Sequence, residues 1–130
     1  AVDAPGTLAE TAAPICGRTT WKGRSARALN PLATEDAALL QAISRGEFIA
    51  QGFRNRDLRP LLFGDAASPE ASRRQMAKVT RLVRLLRAHG LVHKVPKTHR
   101  YIVSPQGRET ITALIAARAA DSQQLLSMAA

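Results

Sequence analysis

The segment from Ser68 to Gly90 constrains the fold most strongly, because it combines a helix start, a helix end and two chemically different faces. Ser68 supplies a capping hydroxyl, Pro69 suits the first helical turn, and Glu70 places an acid beside the positive end of the helix dipole. Gly90 suits the left-handed conformation that follows many helices. The sequence therefore predicts a long helix that runs to His89.

The two sides of this predicted helix differ in polarity when residues are placed at intervals of about 100°. One stripe carries Ser72, Gln75, Met76, Val79, Leu82, Val83 and Leu86. The far side carries Arg73, Arg74, Lys78, Arg81 and Arg84. We therefore expect one face to pack on a core and the other to present positive charge.

Two further helices are predicted before this one. Thr34, which two acids follow, is expected to cap a helix that ends at Gly46. Residues 48–49 then suit a short strand. Asn55 is expected to cap a second helix that ends at Gly64, so the long helix is the third in this prediction.

After the long helix, the pattern changes from helical to strand-like. Residues 91–95 and 100–103 are predicted strands, and the four residues between them, 96–99, suit a hairpin connection. Ser104 and Pro105 then start a final helix in the way that Ser68 and Pro69 start the long one. Its apolar positions continue at helical spacing almost to the end of the chain: Ile111, Leu114, Ile115, Ala119, Leu125 and Leu126.

The length of 130 residues suits one domain with a tail. Residues 1–33 show no helical or alternating period and are predicted to be a flexible tail or linker, which leaves residues 34–130 as the domain. Trp21 is the exception in that tail, because a large aromatic side chain often docks on a folded body. With aromatics at only 4%, we expect a mainly α fold with a small β-hairpin, in the α+β class.

The sequence also bears on location and redox chemistry. Every apolar-rich stretch is interrupted by charges before it reaches the roughly 18 residues of a membrane span, and no signal-peptide pattern is visible. A cytoplasmic protein is therefore expected, and a nucleoid-associated one if it binds DNA. Cys16 is the only cysteine, which excludes an internal disulfide and a cysteine-based zinc site within one chain.

Positive charge is concentrated in the middle of the chain. Residues 54–100 hold twelve basic and three acidic residues, an excess equal to the net charge of +9 of the whole chain. Solvated helix faces commonly alternate the sign of their charges, so the near absence of acids favours a polyanionic partner such as nucleic acid. For any single arginine, simple solvation of an outer helix face is the alternative.

Two segments of the sequence resemble a known class of regulators. The stretch from Lys78 to Val92 resembles the recognition helix and first wing strand of MarR-type and ArsR-type bacterial regulators, which also run from a basic helix into Gly-Leu-Val or Gly-Leu-Ile. Residues 101–108 are similar to that family's exit from the wing. The predicted order of elements is likewise that of a winged helix-turn-helix domain, and the resemblance covers about residues 36–118. Residues 52–59 and 96–101 also resemble segments of uncharacterised bacterial proteins, and this resemblance implies no activity.

The sequence departs from the regulator pattern at two points. The connection from Gly64 to Ser68 is longer than a tight helix-turn-helix turn, and the long helix is about one turn longer than usual. Both departures bear on how deeply the long helix can enter a DNA groove.

The resemblance implies sequence-specific or general binding of double-stranded DNA, in transcriptional regulation or at the DNA-binding end of a larger protein. The long helix would enter the major groove, while the start of the second helix and the wing would contact the phosphate backbone. The implied DNA-binding residues are Arg54, Asn55, Arg56 and Arg59 on the second helix, Arg73, Arg74, Lys78, Thr80, Arg81 and Arg84 on the long helix, and Lys94, Lys97, His99 and Arg100 on the wing.

The alternative is a winged-helix module for protein interaction or dimerisation, without direct DNA binding. The long final helix is expected to pair with its copy, and the alternative is that it simply covers the core. A homodimer would read two half-sites. Ligand sensing is a third reading, for which the sequence shows no pocket. RNA binding is a weaker reading, because the expected aromatic stacking platform is missing.

The sequence gives little support for catalysis. His89, His93 and His99 lack helical metal-ligand spacing and a nearby carboxylate, so no metal site is expected. Tyr101 is expected to stack against the long helix rather than to act as a nucleophile. Since there is also no glycine-rich phosphate loop, neither a cofactor nor an enzymatic activity is expected.

Overall fold

The computed structural model describes residues 19–30 and 33–129, with side chains described up to residue 120. Two strands, β1 (Thr19–Trp21) and β2 (Arg24–Ala26), precede four helices, α1 (Thr34–Ile43), α2 (Gly46–Gln51), α3 (Asn55–Phe63) and α4 (Pro69–Ala88). Two strands and a helix follow, β3 (Val92–Lys94), β4 (Tyr101–Val103) and α5 (Pro105–Ala129). The described part of the chain is mainly helical with small antiparallel hairpins, which confirms the predicted α+β class.

Helix α4, the third helix of the sequence prediction, supplies the centre of the core. Val79, Leu82, Val83 and Leu86 of its predicted apolar stripe are buried, and they join a cluster with residues from α1, α3 and the β3–β4 hairpin. A fully buried side chain of this size contributes about 1.5–3 kcal/mol to folding. The predicted stripe is therefore the face of α4 that holds the other elements.

Both predicted ends of α4 are confirmed. The hydroxyl of Ser68 accepts a hydrogen bond from the backbone N–H of Ala71 at 3.1 Å. At the other end Gly90 has a φ of 74°, and its N–H donates to the carbonyl of Arg87 at 3.0 Å. The N–H of Leu91 donates to the carbonyl of Leu86 at 3.0 Å, which completes a Schellman motif.

The predicted caps of α1 and α3 are wrong. Thr34 and Asn55 are the first residues of these helices, and Ala33 and Arg54 occupy the cap positions. In α3, Asp57 accepts the backbone N–H of Arg54 at 2.8 Å, so a carboxylate in the first turn satisfies the donor before the helix. This leaves the amide of Asn55 available for a contact outside its own helix.

The predicted strand at residues 48–49 is also wrong, because these residues belong to α2. Gly46, predicted to end the first helix, begins α2 instead. A pair of adjacent apolar residues is compatible with a strand and with a short helix, so the sequence pattern does not decide between them. The strand-like position is Phe53, which exchanges backbone hydrogen bonds with Tyr101 at 2.9 and 2.8 Å and extends the β3–β4 hairpin.

Residues 19–30 of the predicted tail are folded. Strands β1 and β2 pair through a two-residue turn in which Lys22 and Gly23 have φ values of 51° and 75°, as a type I′ turn requires. Beyond the hairpin, Leu29 is only 1% exposed and joins the core. The folded body thus begins before residue 34, while residues 1–18, including Cys16, lie outside the described residues.

Helix α5 begins where the sequence predicts. The hydroxyl of Ser104 accepts the N–H of Gly107 at 2.9 Å, and Ile111 and Leu114 are buried against the body. Ile115, however, is 39% exposed, and Ala119 is exposed as well. The side chains of the last apolar positions, residues 125–126, lie outside the described part of the structure.

The close approach of α5 to the body predicts a cost for enlarging Gly107. A Cβ atom there would lie 2.2 Å from the carbonyl oxygen of Leu91, whereas a Cβ at Gly46 would meet nothing within 4 Å. Gly107→Ala should therefore lower the free energy of unfolding by about 1–3 kcal/mol. Gly46→Ala, the matched control, should be neutral or stabilising. Urea unfolding followed by circular dichroism measures both, and equal stability of the two variants would contradict the close contact between Gly107 and Leu91.

Candidate nucleic-acid interface

The face of α4 opposite the core carries the predicted polar residues in exposed positions. Arg73, Arg74, Lys78, Thr80, Arg81 and Arg84 are all exposed along this helix of 20 residues. The row runs from Arg73 to Arg84, about 17 Å along the helix axis at a rise of about 1.5 Å per residue, so it is long enough to follow a groove over several base pairs. From residue 71 to residue 88 the helix contains no acid.

The start of α3 lies beside this face. The side-chain amide of Asn55 donates to the hydroxyl of Thr80 at 3.3 Å, and that hydroxyl in turn donates to the carbonyl of Met76 at 2.9 Å. Arg56 is exposed next to this contact. The two predicted groups on α3 and α4 therefore form one continuous surface.

Two polar atoms at the start of α3 are buried without a hydrogen-bond partner in the described part of the chain. They are Nε of Arg54 and Oδ1 of Asn55. Leaving such a group unsatisfied typically costs about 1–3 kcal/mol. Two polar atoms at the start of α3 thus lack a hydrogen-bond partner from the described residues.

Not every predicted residue presents its charge freely. The guanidinium of Arg59 donates to Oε1 of Gln75 at 3.1 Å and to the carbonyl of Gly64 at 3.4 Å, so it links α3 to α4. Lys78 forms an ion pair with Glu35 at 2.8 Å and lies 5.6 Å from the ring centre of Phe63. These two cations serve the packing of helices as well as the surface charge.

The β3–β4 hairpin presents Lys94, Lys97 and His99 in exposed positions. Arg100 points elsewhere, because its guanidinium donates to the carbonyl of Gln51 at 2.6 Å. Lys97 occupies the left-handed region with a φ of 63° in the turn. The hairpin thus keeps three of its four predicted residues on the surface.

Tyr101 stacks as the sequence predicts for an aromatic residue on this strand, but it has two partners. Its ring lies 5.9 Å from the ring of Phe53 at an angle of 25°, and the guanidinium of Arg87 on α4 lies 5.9 Å from its centre. Arg87 also lies 4.6 Å from the ring centre of Trp21. One arginine therefore connects α4 to both hairpins.

The N-terminal hairpin supplies residues that the sequence analysis did not include in the site. Trp21 lies against the C-terminal half of α4 through Arg87, and Lys22 and Arg24 are exposed beside it. The segment Thr-Thr-Trp-Lys-Gly-Arg contains a sequence signal for this hairpin. A glycine as the second residue of a two-residue turn between strand-forming residues favours a type I′ hairpin. The hairpin makes the positive surface wider than the sequence predicts.

An ion pair between a buried carboxylate and a half-exposed guanidinium helps to hold this hairpin in place. Asp36 is 3% exposed, and its two carboxylate oxygens each accept a hydrogen bond from the guanidinium of Arg27 at 2.9 Å. The backbone N–H of Asn30 donates to the same carboxylate at 2.9 Å, and Nε2 of His89 lies 2.8 Å from the carbonyl oxygen of Arg27. The segment after β2 is thereby tied to α1 and to the end of α4.

The electrostatics of Asp36 follow from these contacts. Burial by itself would raise the pKa of the carboxyl group, but the hydrogen bonds from Arg27 and from the N–H of Asn30 outweigh it and hold the pKa below its ordinary value. The pKa of Arg27 is raised, mainly by the same hydrogen bond. Asp36 is therefore ionised whenever the hairpin is docked near neutral pH.

This pair predicts a pH-dependent stability. Because the pKa of Asp36 is lower in the folded state, the pair stabilises the fold above the ordinary carboxyl pKa of about 4, and this contribution is lost as the pH falls below that value. Asp36→Asn should cost about 1–3 kcal/mol at neutral pH, and its difference from the unaltered protein should shrink on acidification. Urea unfolding at a series of pH values measures this difference.

A matched control removes an exposed carboxylate. Glu109→Gln on α5 should change the free energy of unfolding by less than about 0.5 kcal/mol. If Asp36→Asn were as mild as this control, or if its cost did not depend on pH, the anchoring role of the ion pair would be refuted.

Comparison with models of protein families, with curated proteins and with solved structures gave no match for the chain. Among the described residues, no group of three His, Cys, Asp or Glu side chains is placed to hold a metal ion. None of the described helices is both long and apolar enough to cross a membrane.

Proposed function

We propose that this chain binds double-stranded DNA as a winged helix-turn-helix domain, with α4 as the recognition helix and the β3–β4 hairpin as the wing. The observation that carries the proposal is the outward face of α4, where five exposed cations and Thr80 lie opposite the buried stripe. The major groove, about 12 Å wide, admits one α-helix, and arginine can bridge O6 and N7 of guanine with two donors.

The N-terminal half of α4 is the part suited to base contacts. Arg73 and Arg74 are exposed there, and the N-terminal hairpin lies against the other half of the helix, where Arg87 contacts Trp21. A helix longer than usual can thus place its first turns in the groove and keep its last turns in contact with the protein body. The exposed Lys94 and Lys97 on the hairpin would contact phosphate beside the groove.

The start of α3 gives the proposed interface a second set of phosphate contacts. The exposed Arg56 lies next to Asn55, whose amide is coupled to Thr80 on α4. The carboxylate of Asp57 already engages the backbone N–H of Arg54, so the exposed Arg56 is the group that would contact a phosphate there. Phosphate contacts here would fix the position of α4 in the groove.

The salt dependence of binding to a random-sequence duplex tests the proposal. Arg73→Ala combined with Arg74→Ala should weaken binding about tenfold or more, and should reduce the slope of log K against log salt by about 0.9 for each phosphate that is no longer neutralised. The matched control is Arg108→Ala combined with Arg118→Ala, which removes the same charge from exposed positions on α5. Fluorescence anisotropy of a labelled duplex measures both affinities.

Two results would overturn the proposal. The first is undetectable binding of the unaltered protein even at low salt. The second is an equal loss of affinity in the α4 pair and the α5 pair, since binding would then follow net charge rather than the position of the arginines.

A second candidate function, protein interaction through α5, rests on a surface groove. The groove has a volume of about 310 Å³ between α1 and α5, and its lining includes Leu40, Leu114 and the exposed Ile115. The expected homodimer stays a prediction, and such a dimer would place two α4 helices on two half-sites.

Ile115→Glu tests this pairing. If α5 pairs with its copy, a charge at the contact should shift the protein from dimer to monomer in sedimentation equilibrium, because the carboxylate would be buried without a partner. Leu61→Glu is the control, since Leu61 on α3 is 44% exposed and lies outside the groove. A monomeric unaltered protein, or a dimer that survives Ile115→Glu, would contradict pairing through this face.

A further inference from the structure

The space between the β1–β2 hairpin and α4 forms an open groove with a volume of about 710 Å³. The hairpin segment lines it with Lys22, Arg24 and Arg27. Helix α4 lines it with Lys78, Arg81, Arg84 and Arg87. Basic side chains from two separate elements thus face one concave space.

Carboxylates compensate only part of this charge. Arg27 is paired with Asp36, and Lys78 is paired with Glu35, the one acid in the lining. Arg24, Arg81 and Arg84 are exposed and have no carboxylate partner among the described residues. A concave surface of one sign concentrates the field of its charges, so the groove attracts anions more strongly than a flat surface with the same residues would.

The groove also has an apolar part. Leu82, Leu85 and Ala88 of α4 and Ala26 of β2 contribute to its lining, together with the indole of Trp21. A site for inorganic ions alone gains nothing from such contacts, whereas a planar ring would bury apolar surface there. The combination suits a ligand with an aromatic ring and a negatively charged group.

Trp21 organises the cations at the hairpin side. The ammonium group of Lys22 and the guanidinium of Arg87 each lie 4.6 Å from its ring centre. Cation–π contacts of this kind hold side chains in place, so Lys22 and Arg87 keep the hairpin end of the groove around Trp21 ordered. Because the ion pair of Arg27 with Asp36 anchors the hairpin, this arrangement belongs to the folded protein.

We propose that this groove binds a nucleotide unit, with phosphates on Arg24, Arg81 and Arg84 and the base against the apolar part beside Trp21. The unit can come from a free nucleotide or from a single nucleic-acid strand, which share this chemistry. The volume of the groove lies in the range of about 300–1,000 Å³ typical of small-molecule sites. This site is separate from the first turns of α4 that would read a DNA duplex.

The fluorescence of Trp21, the only tryptophan of the chain, reports binding directly. ATP, inorganic triphosphate, adenosine and a short single-stranded oligonucleotide are the probes. ATP should change the fluorescence saturably and bind at least about tenfold more tightly than either triphosphate or adenosine alone. The oligonucleotide distinguishes a nucleic-acid strand from a free nucleotide. If it binds more tightly than ATP, the ligand is a strand; if it binds more weakly, the ligand is a free nucleotide.

Lys22→Asn combined with Arg24→Thr is the test variant, because asparagine tolerates the left-handed turn and threonine suits the strand. It should weaken ATP binding about tenfold or more, while Arg108→Ala combined with Arg118→Ala should leave it unchanged. Trp21 emission and thermal unfolding without ligand check that the hairpin stays docked; if it does not, Arg24→Thr alone replaces the double variant. Three results would overturn the proposal. They are the absence of a saturable fluorescence change with any probe, binding of triphosphate as tight as that of ATP, and an equal loss of ATP affinity in the test and control variants.

The groove and the proposed duplex surface share Lys78, Arg81 and Arg84. If the proposed function holds, ATP should therefore displace the labelled duplex, and the hairpin variant should resist this displacement. Direct binding of ATP does not depend on the duplex assay. Nucleotide binding without duplex binding would overturn the proposed function alone, and duplex binding without nucleotide binding would overturn the groove assignment alone.

Discussion

The ion pair between the buried carboxylate of Asp36 and the half-exposed guanidinium of Arg27 is the interaction on which the N-terminal side of the charged surface depends. It ties the N-terminal hairpin to α1, while Leu29 fills the core two residues later. Both oxygens of the carboxylate are satisfied, so the cost of burying its charge is offset by hydrogen bonds from Arg27 and Asn30. Together with Leu29 and the contact of His89 with the carbonyl of Arg27, this pair holds the hairpin that lines one side of the groove beside Trp21.

Helix α4 has several roles because a helix of 20 residues offers more than one surface. One stripe forms the core, the first turns are open, and the last turns contact both hairpins through Arg87. The proposed duplex surface and the proposed nucleotide groove use different lengths of this helix and overlap at Lys78, Arg81 and Arg84. Because of this overlap, a nucleotide in the groove and a duplex on α4 would compete for the same cations.

Several features of the fold were predictable because they depend on local chemistry. The ends of α4 follow from Ser68 and Gly90, and the β3–β4 hairpin follows from its strand-like residues and four-residue connection. The exposed row on α4 follows from helical spacing alone. The caps of α1 and α3, the helix at residues 46–51 and the folded segment 19–30 were missed. The turn of the N-terminal hairpin had a local signal in Lys22 and Gly23, but the docking of this segment and the contact made by Asn55 depend on residues distant in the chain. Asn55, for example, contacts Thr80 rather than capping its own helix.

The sequence by itself determined the class of fold, the two faces of α4 and the concentration of positive charge, because helical periodicity and charge are properties of neighbouring residues. Only the tertiary structure decided which cations stay open and which are engaged. Nothing in the sequence distinguishes three engaged arginines from the open ones. In the structure an amide oxygen holds Arg59, a backbone carbonyl holds Arg100 and a carboxylate holds Arg27, each from another element. The physical reason is that a guanidinium binds whichever acceptor the fold brings near it, and chain packing alone sets that distance.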